Sequence, residues 1–368
     1  MPAGFVYNGF IKKMKKPIHV ALLFGGRSAE HRVSIVSARS IHRHLDPEQY
    51  SISCIYINRK GNWRTVASPE MTEKELNKGP FFSFLPWESE RREDFFSADI
   101  YFPVLHGPYG EDGTVQGLLE LADVPYVGSG VLSSAGCMDK DTAKVLFRTD
   151  GLPVVDHLPV REEEWRKDRQ GVLRRTEDSL IPPLFVKPAN LGSSVGISKV
   201  RHWDELPSAV ESAFRFDEKI LIEQGVAGRE LECSVLGNDD PEASLPGEII
   251  PFREFYDYRD KYLDGKTAFR IPAELPPEQT AAVRTIAVRA FRLLGCSGMA
   301  RVDFFLEAKT ERLFLNEINT IPGFTDISMY PKLWAAGGLP YAELLNRLIE
   351  LGLERHSRKK RVADWTPS

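Results

Sequence analysis

From Ile18 to Phe24 the chain reads IHVALLF, a nearly unbroken apolar run of the kind found in a strand buried on both faces. Gly25 and Gly26 break it, and a helix is expected from about Ala29 to Leu45, with Val33, Ser37, Ile41 and Leu45 near one stripe. SISCIYI (51–57) and IYFPVL (100–105) read as further strands. The loop HGPYGEDG, a helix near Thr114–Leu121 and a short strand PYVG follow. Alternating strands and helices predict a small parallel α/β domain over 17–138. Ligands of such sheets bind at the carboxyl ends of strands, which singles out the loops after Phe24 and Leu105. A smaller unit is expected over 139–228, with a helix near Thr142–Thr149, a charged stretch, and strands at 184–187, 196–200 and 219–224. A third unit, 229–355, opens on the strand ELECSVLG. It continues through an aromatic, charged stretch (251–272), a helix from about Pro277 to Leu294 stopped by Gly295, and strands at 300–306 and 313–319. Its last helix is expected over 341–352. Residues 1–16 form an extension and 356–368 a tail. The basic run RHSRKKR (355–361) reads as a solvated, disordered end.

Composition narrows the class. Of 368 residues, 42% are hydrophobic and 27% charged, which is ordinary for a globular protein of two or three domains. A formal net charge of -4 points to neither nucleic acid nor membrane as a partner. Cys54, Cys137, Cys233 and Cys296 are widely spaced and make no CxxC pair, which argues against a disulfide framework or zinc site and for a reducing compartment. No apolar run approaches the roughly 20 residues of a membrane span. The lysines of MPAGFVYNGFIKKMKKP follow its apolar residues, the reverse of a secretory signal. A cytoplasmic protein is expected.

Five stretches carry candidate chemistry. In RLFLNEINTIPGFTDIS (312–328), Glu317 and Asn319 are expected on the strand face that Leu313 and Leu315 begin. Pairing with MARVDFFLEA (299–308) through a turn near Thr310 would set Asp303 opposite Glu317 and Arg301 opposite Asn319. Two carboxylates and an amide suit a hard cation such as Mg²⁺; an arginine-centred ion pair on an exposed sheet is the competing reading. In FVKPANLGSSVGISKV (185–200), a lysine ends a strand before a Gly/Ser loop that could cradle phosphates or could be a plain hairpin; no Walker GKS or GKT is present. In GGRSAEHRVS (25–34), GxGxxG is absent and Glu30 falls in the first helical turn, where its charge is favourable in any case. His106 of HGPYGEDG decides nothing alone. In EFYDYRDKY (254–262), Phe255, Tyr256, Tyr258 and Tyr262 alternate with charges in the manner of a mobile lid.

These stretches, with GSGVLSSAGCMDKDTAK between them, occur in the order found in the D-alanine–D-alanine ligases of the ATP-grasp superfamily, which the chain resembles over about residues 17–352. The resemblance implies an ATP-grasp fold of mixed α/β and α+β character behind an N-terminal parallel α/β domain, with ATP between the central and C-terminal units. It implies that Lys140, Lys187 and the loop residue Ser194 meet the ATP phosphates, and that Glu223, Val226 and Glu230 line the adenine and ribose pocket. Asp303, Glu317 and Asn319 would hold two Mg²⁺, for which Mn²⁺ could substitute. Glu30 would bind the ammonium of the first D-alanine in a network with Ser193 and Tyr262. Arg301 and the Gly323 N–H would form an oxyanion site. Ser328 and Lys261 would meet the second carboxylate, Lys261 also lying by the nucleotide, and His106 would sit by the substrates. Relatives suggest a homodimer. D-serine or D-lactate as second substrate, and a non-catalytic nucleotide-binding regulator, are the alternatives. The Lys261–Tyr262 pair favours D-alanine over D-lactate, because depsipeptide-forming relatives lack it.

Overall fold

The computed structural model describes residues 16–82, 98–250 and 268–363. The first sheet is built from β1 (Ile18–Gly25), β2 (Tyr50–Ile57), β3 (Trp63–Val66) and β4 (Ile100–Pro103) in the order β3-β2-β1-β4. β1 is parallel to β2 and β4, as the doubly apolar run predicts. Its alternate residues feed two cores: Val20, Leu22 and Phe24 enter one, Ala21 and Leu23 the other. β3 adds an antiparallel edge that the sequence reading omits. Tyr126 of PYVG makes only an isolated parallel bridge to Tyr101.

The second sheet is antiparallel, with β5 (His157–Arg161), β6 (Leu184–Pro188), β7 (Ser198–Val200) and β8 (Lys219–Gln224) in the order β5-β8-β6-β7. The charged stretch between β5 and β6 forms two short helices, Glu162–Lys167 and Arg169–Ser179, which bury Trp165, Val172 and Thr176. The third sheet takes β9 (Gly228–Gly237), β10 (Glu242–Ala243), β11 (Gly247–Ile250), β12 (Ala268–Arg270), β13 (Gly298–Glu307) and β14 (Leu313–Asn319). Its path is β12-β11-β9-β13-β14, with β10 paired to β9. The helix Pro277–Leu293 packs Val283, Ala287, Ala290 and Phe291 into that sheet's core, and Gly295 at φ +64° ends it.

Two expectations are corrected. The basic run at 355–361 is not a disordered end: the last helix runs from Tyr341 to Ala363. Two of its arginines are anchored, Arg355 lying over the Tyr126 ring at 4.0 Å and 3.4 Å from Glu120, and Arg358 pairing with Glu354 one turn back. The same helix sends Leu344, Leu345, Leu348 and Ile349 into a core shared with Val20, Phe24 and Phe102, so the chain's end braces its first sheet. The second correction concerns β14. The pairing across the turn is as expected, Asp303 with Glu317 and Arg301 with Asn319, but the next pair is Phe304 with Leu315. Asn316 is therefore an extra residue, a bulge that reverses the side-chain alternation. Leu315 and Ile318 share the core, while Glu317 and Asn319 face away from it. Among the described residues no helix is long and apolar enough to cross a membrane.

Candidate active site

Two cavities meet where the three sheets converge. The inner one is lined by Glu30, His106, Arg301, Asn319, Gly323 and Ser328. The outer cleft, between the second and third sheets, is lined by Lys140, Lys187, Ser194, Glu223, Val226 and Glu230, with Asp303 at its floor. Ser193, Glu232 and Glu317 line both. A group bound in the cleft and a group bound in the inner cavity would thus face each other across Glu317. Lys261 and Tyr262 lie outside the described residues, as does most of the stretch 251–272; only its end, 268–272, is described, with 268–270 forming β12.

The inner cavity begins at the carboxyl end of β1. Gly25 and Gly26 turn the chain at φ +97° and +93°, and a Cβ on Gly25 would stand 2.2 Å from the Ile57 carbonyl, so only glycine fits. The turn delivers Glu30 to the start of the helix His31–His44. Its carboxylate is buried and makes no cap bond to its own helix; it accepts a short hydrogen bond from the Ser193 hydroxyl instead. Glu30 thereby links the first sheet to the Gly/Ser loop, where Ser193 and Ser194 adopt φ of +50° and +58°. Gly192 sits against the same carboxylate, 3.1 Å from where a Cβ would lie.

His106 uses both ring nitrogens within the protein. Nδ1 lies 3.0 Å from the Ile321 carbonyl, which can only accept, so Nδ1 carries the hydrogen. Nε2 then accepts from the Ser37 hydroxyl at 3.0 Å, and Ser37 Oγ accepts the Phe324 N–H at 3.2 Å. Burial lowers the His106 pKa, which keeps the ring neutral for this chain of bonds. The Tyr341 hydroxyl donates to the Phe324 carbonyl at 2.7 Å. His106 therefore pins the loop that presents Gly323. A Cβ on Gly323 would come within 2.6 Å of Ser328 Oγ, so this glycine allows the loop to close on Ser328. Ser328 begins the helix Met329–Ala336 and accepts the Thr325 N–H at 2.9 Å.

Charges in the floor are matched pair by pair. Arg301 holds Asp303 through two bonds of 2.7 and 2.6 Å, and its Nε lies 3.1 Å from Glu232. Asn319 donates to Asp303 at 3.1 Å. Lys140 donates to the Leu191 carbonyl at 2.6 Å and lies 3.3 Å from Glu317. The arginine-centred pair and the convergence of acids are thus both present. Among the described residues no three His, Cys, Asp or Glu side chains cluster as metal ligands. The set is two carboxylates and one amide, which fits a cation that draws its remaining ligands from phosphate and water. In the cleft, Lys187 donates to Glu223 at 2.6 Å, and Lys144 from the helix Lys140–Thr149 lies 2.8 Å from the other oxygen of that carboxylate. Burial pushes the Glu223 carboxyl up, but the two lysines more than reverse it and hold it at about 2.

Three participants escape the sequence reading. Glu111, in HGPYGEDG, is buried in the inner cavity and accepts the Gly107 N–H at 2.8 Å. Burial, then the charge of Glu30, pushes its carboxyl up to about 8. The motif itself was a signal for Glu111. Lys144 closes the motif GSGVLSSAGCMDKDTAK, but nothing in that motif named its partner, and Glu232 had no signal beyond its strand, because both partners come from other elements.

A parallel α/β domain leading into two antiparallel sheets that clasp a lysine- and carboxylate-lined cleft is the architecture of an ATP-grasp ligase. The comparisons give the particular family. Residues 19–129 match the model for the D-ala D-ala ligase N-terminus, and residues 146–350 match that for the C-terminus. The D-alanine–D-alanine ligase of Chloroherpeton thalassium is 50% identical, over 93% of this chain and 98% of that protein. The solved D-alanine–D-alanine ligase of Coxiella burnetii superposes with a TM-score of 0.84 at 42% identity, covering 94% of this chain and 97% of that one. The VanG D-Ala:D-Ser ligase of Enterococcus faecalis gives 0.80 at 35% identity, covering 92% and 100%. This chain belongs to the D-alanine–D-alanine ligase family.

Proposed function

We propose that the protein joins two D-alanine molecules into D-alanyl-D-alanine, the dipeptide of peptidoglycan precursors, with ATP converted to ADP and phosphate. The observation that carries this reading is the shared wall of the two cavities, where Glu317 and Ser193 separate a lysine-lined cleft from a pocket holding Glu30, Arg301 and Gly323. A carboxylate is a poor acyl donor. Its oxygen must first attack the γ-phosphoryl group of ATP, giving an acyl phosphate and ADP, a transfer governed by position and charge neutralisation. Lys140 and Lys187 supply positive charge to the phosphates in the cleft, and Val226, Glu230 and Glu223 border the base and ribose. Asp303, Glu317 and Asn319 would hold two Mg²⁺, or Mn²⁺ in their place, which when bound offset the charge of the polyphosphate.

In the inner pocket, Glu30 receives the ammonium of the first D-alanine, with Ser193 fixing the carboxylate's orientation. Ser328 meets the carboxylate of the second. The neutral amine of that second molecule attacks the acyl carbon, forming the C–N bond; collapse of the tetrahedral oxyanion expels phosphate. Arg301 and the Gly323 N–H stabilise that oxyanion, and His106 holds the Gly323 loop through Ile321 and Ser37. Burial of the site protects the acyl phosphate from water.

Three domains (17–138, 139–228 and 229–355), a cytoplasmic location and a homodimer belong to the same reading. Light scattering at twice the mass of one chain tests the last. The reading as a whole is tested by phosphate release: ATP and Mg²⁺ should yield phosphate only when D-alanine is added, in step with dipeptide. ATP turnover indifferent to D-alanine would refute it.

A further inference from the structure

Behind the wall of the cleft lies a charge that the proposed chemistry does not use. Lys144 is fully buried and lines neither cavity, so it cannot touch a bound nucleotide. Its ammonium meets Glu223 at 2.8 Å as an ion-pair partner rather than through a well-aligned hydrogen bond. Lys187, which does line the cleft, is held by the other oxygen of the same carboxylate at 2.6 Å, with Asn316 Oδ1 a further 3.5 Å neighbour. Three buried groups thus form a Lys144–Glu223–Lys187 row of two cations and one anion, with a net charge of one positive unit.

We infer that Lys144 is a positioning residue for nucleotide binding: by neutralising Glu223 from behind, it leaves Lys187 free to give its charge to the ATP phosphates. The inference rests on the placement of ATP in this cleft. Its physical basis is that a buried charge must be compensated. With Lys144 present, Glu223 keeps a partner when Lys187 turns to phosphate, and the surplus positive charge of the row is complemented by the polyphosphate. Without Lys144, Lys187 and Glu223 become a closed, neutral pair. Drawing Lys187 away would then strand a carboxylate of about 3% exposure in the protein interior. Burial lowers the Lys144 pKa while Glu223 opposes it, which is the balance expected of a lysine retained for its pairing.

ATP affinity, measured by calorimetry on the full chain, separates this role from a merely structural one. Wild-type protein should bind ATP. Lys144→Met should weaken ATP binding by about tenfold or more, with the KM for D-alanine unchanged. In a Glu223→Gln background, which removes the captor of Lys187, Lys144→Met should change ATP affinity by less than about threefold relative to Glu223→Gln alone, whatever Glu223 itself contributes to binding. A loss below about tenfold in the wild-type background overturns the inference, and so does an equal loss in the Glu223→Gln background. If Lys144→Met fails to fold, Lys144→Gln takes its place in both backgrounds with the same two outcomes. Failure of the wild type itself to bind ATP would instead overturn the nucleotide reading beneath it.

Discussion

Single residues in this protein act through the charge they balance. Glu317 stands in the wall shared by both cavities and lies 3.3 Å from Lys140. Glu317→Gln keeps its shape and removes its charge, so the fold should persist while turnover falls by about 10²-fold or more. Phosphate release at saturating Mg²⁺, with circular dichroism as the control, measures both; wild-type turnover would contradict the site assignment. Glu111 makes a different prediction. Its carboxyl is ordinarily near 4.5 and is pushed up to about 8 in the fold by burial and by Glu30. Between those values the unfolded chain has released a proton that the native state still holds. Stability is therefore highest below about pH 4.5 as far as this group is concerned, and is lost as pH rises toward 8, by on the order of a few kcal/mol. The groups facing it are Glu30, Lys140 and Glu317. Thermal midpoints from pH 5.5 to 8 should fall less steeply in Glu111→Gln than in wild type, and parallel curves in the two proteins would show that Glu111 is not the group responsible.

At the scale of elements, the decisive feature is the Asn316 bulge in β14. Strand alternation alone would turn Glu317 and Asn319 to the side of Leu315, into the core. The extra residue lets Leu315 and Ile318 pack inward while Glu317 and Asn319 face the cavities. Deleting Asn316 should therefore abolish ligation and lower the thermal midpoint, because one register slip buries two polar side chains. A deletion variant that keeps both stability and activity would show that the bulge is dispensable. The bulge also marks where the sequence stopped being legible. The pairing of Asp303 with Glu317 followed from a short turn and a period of two, whereas a single inserted residue leaves no trace in a seven-residue strand. The helices at 162–179 were hidden because charged residues outnumber the few apolar ones they bury. The end of the last helix was hidden because its stability comes from Glu120 and Tyr126, far away in sequence. Ordered motifs made most of the residues that line the two cavities readable; contacts such as Lys144 with Glu223 were not, since only the packing of a helix on a distant strand creates them.

The whole molecule is a chain folded back on its own start. The last helix and the 321–324 loop share a core with the first sheet, and His106 and Ser37 bind that loop, so the inner cavity exists only when the first and third sheets are docked. The central claim is that this docked pocket, fed by ATP from the adjoining cleft, makes one product. A single reaction tests it: purified protein, ATP and Mg²⁺ at pH 7 with D-alanine, D-serine and D-lactate in equal supply, analysed by mass spectrometry. D-alanyl-D-alanine should predominate, with one phosphate released per dipeptide. Predominance of D-alanyl-D-serine or D-alanyl-D-lactate, or phosphate release without any ligated product, would contradict the account.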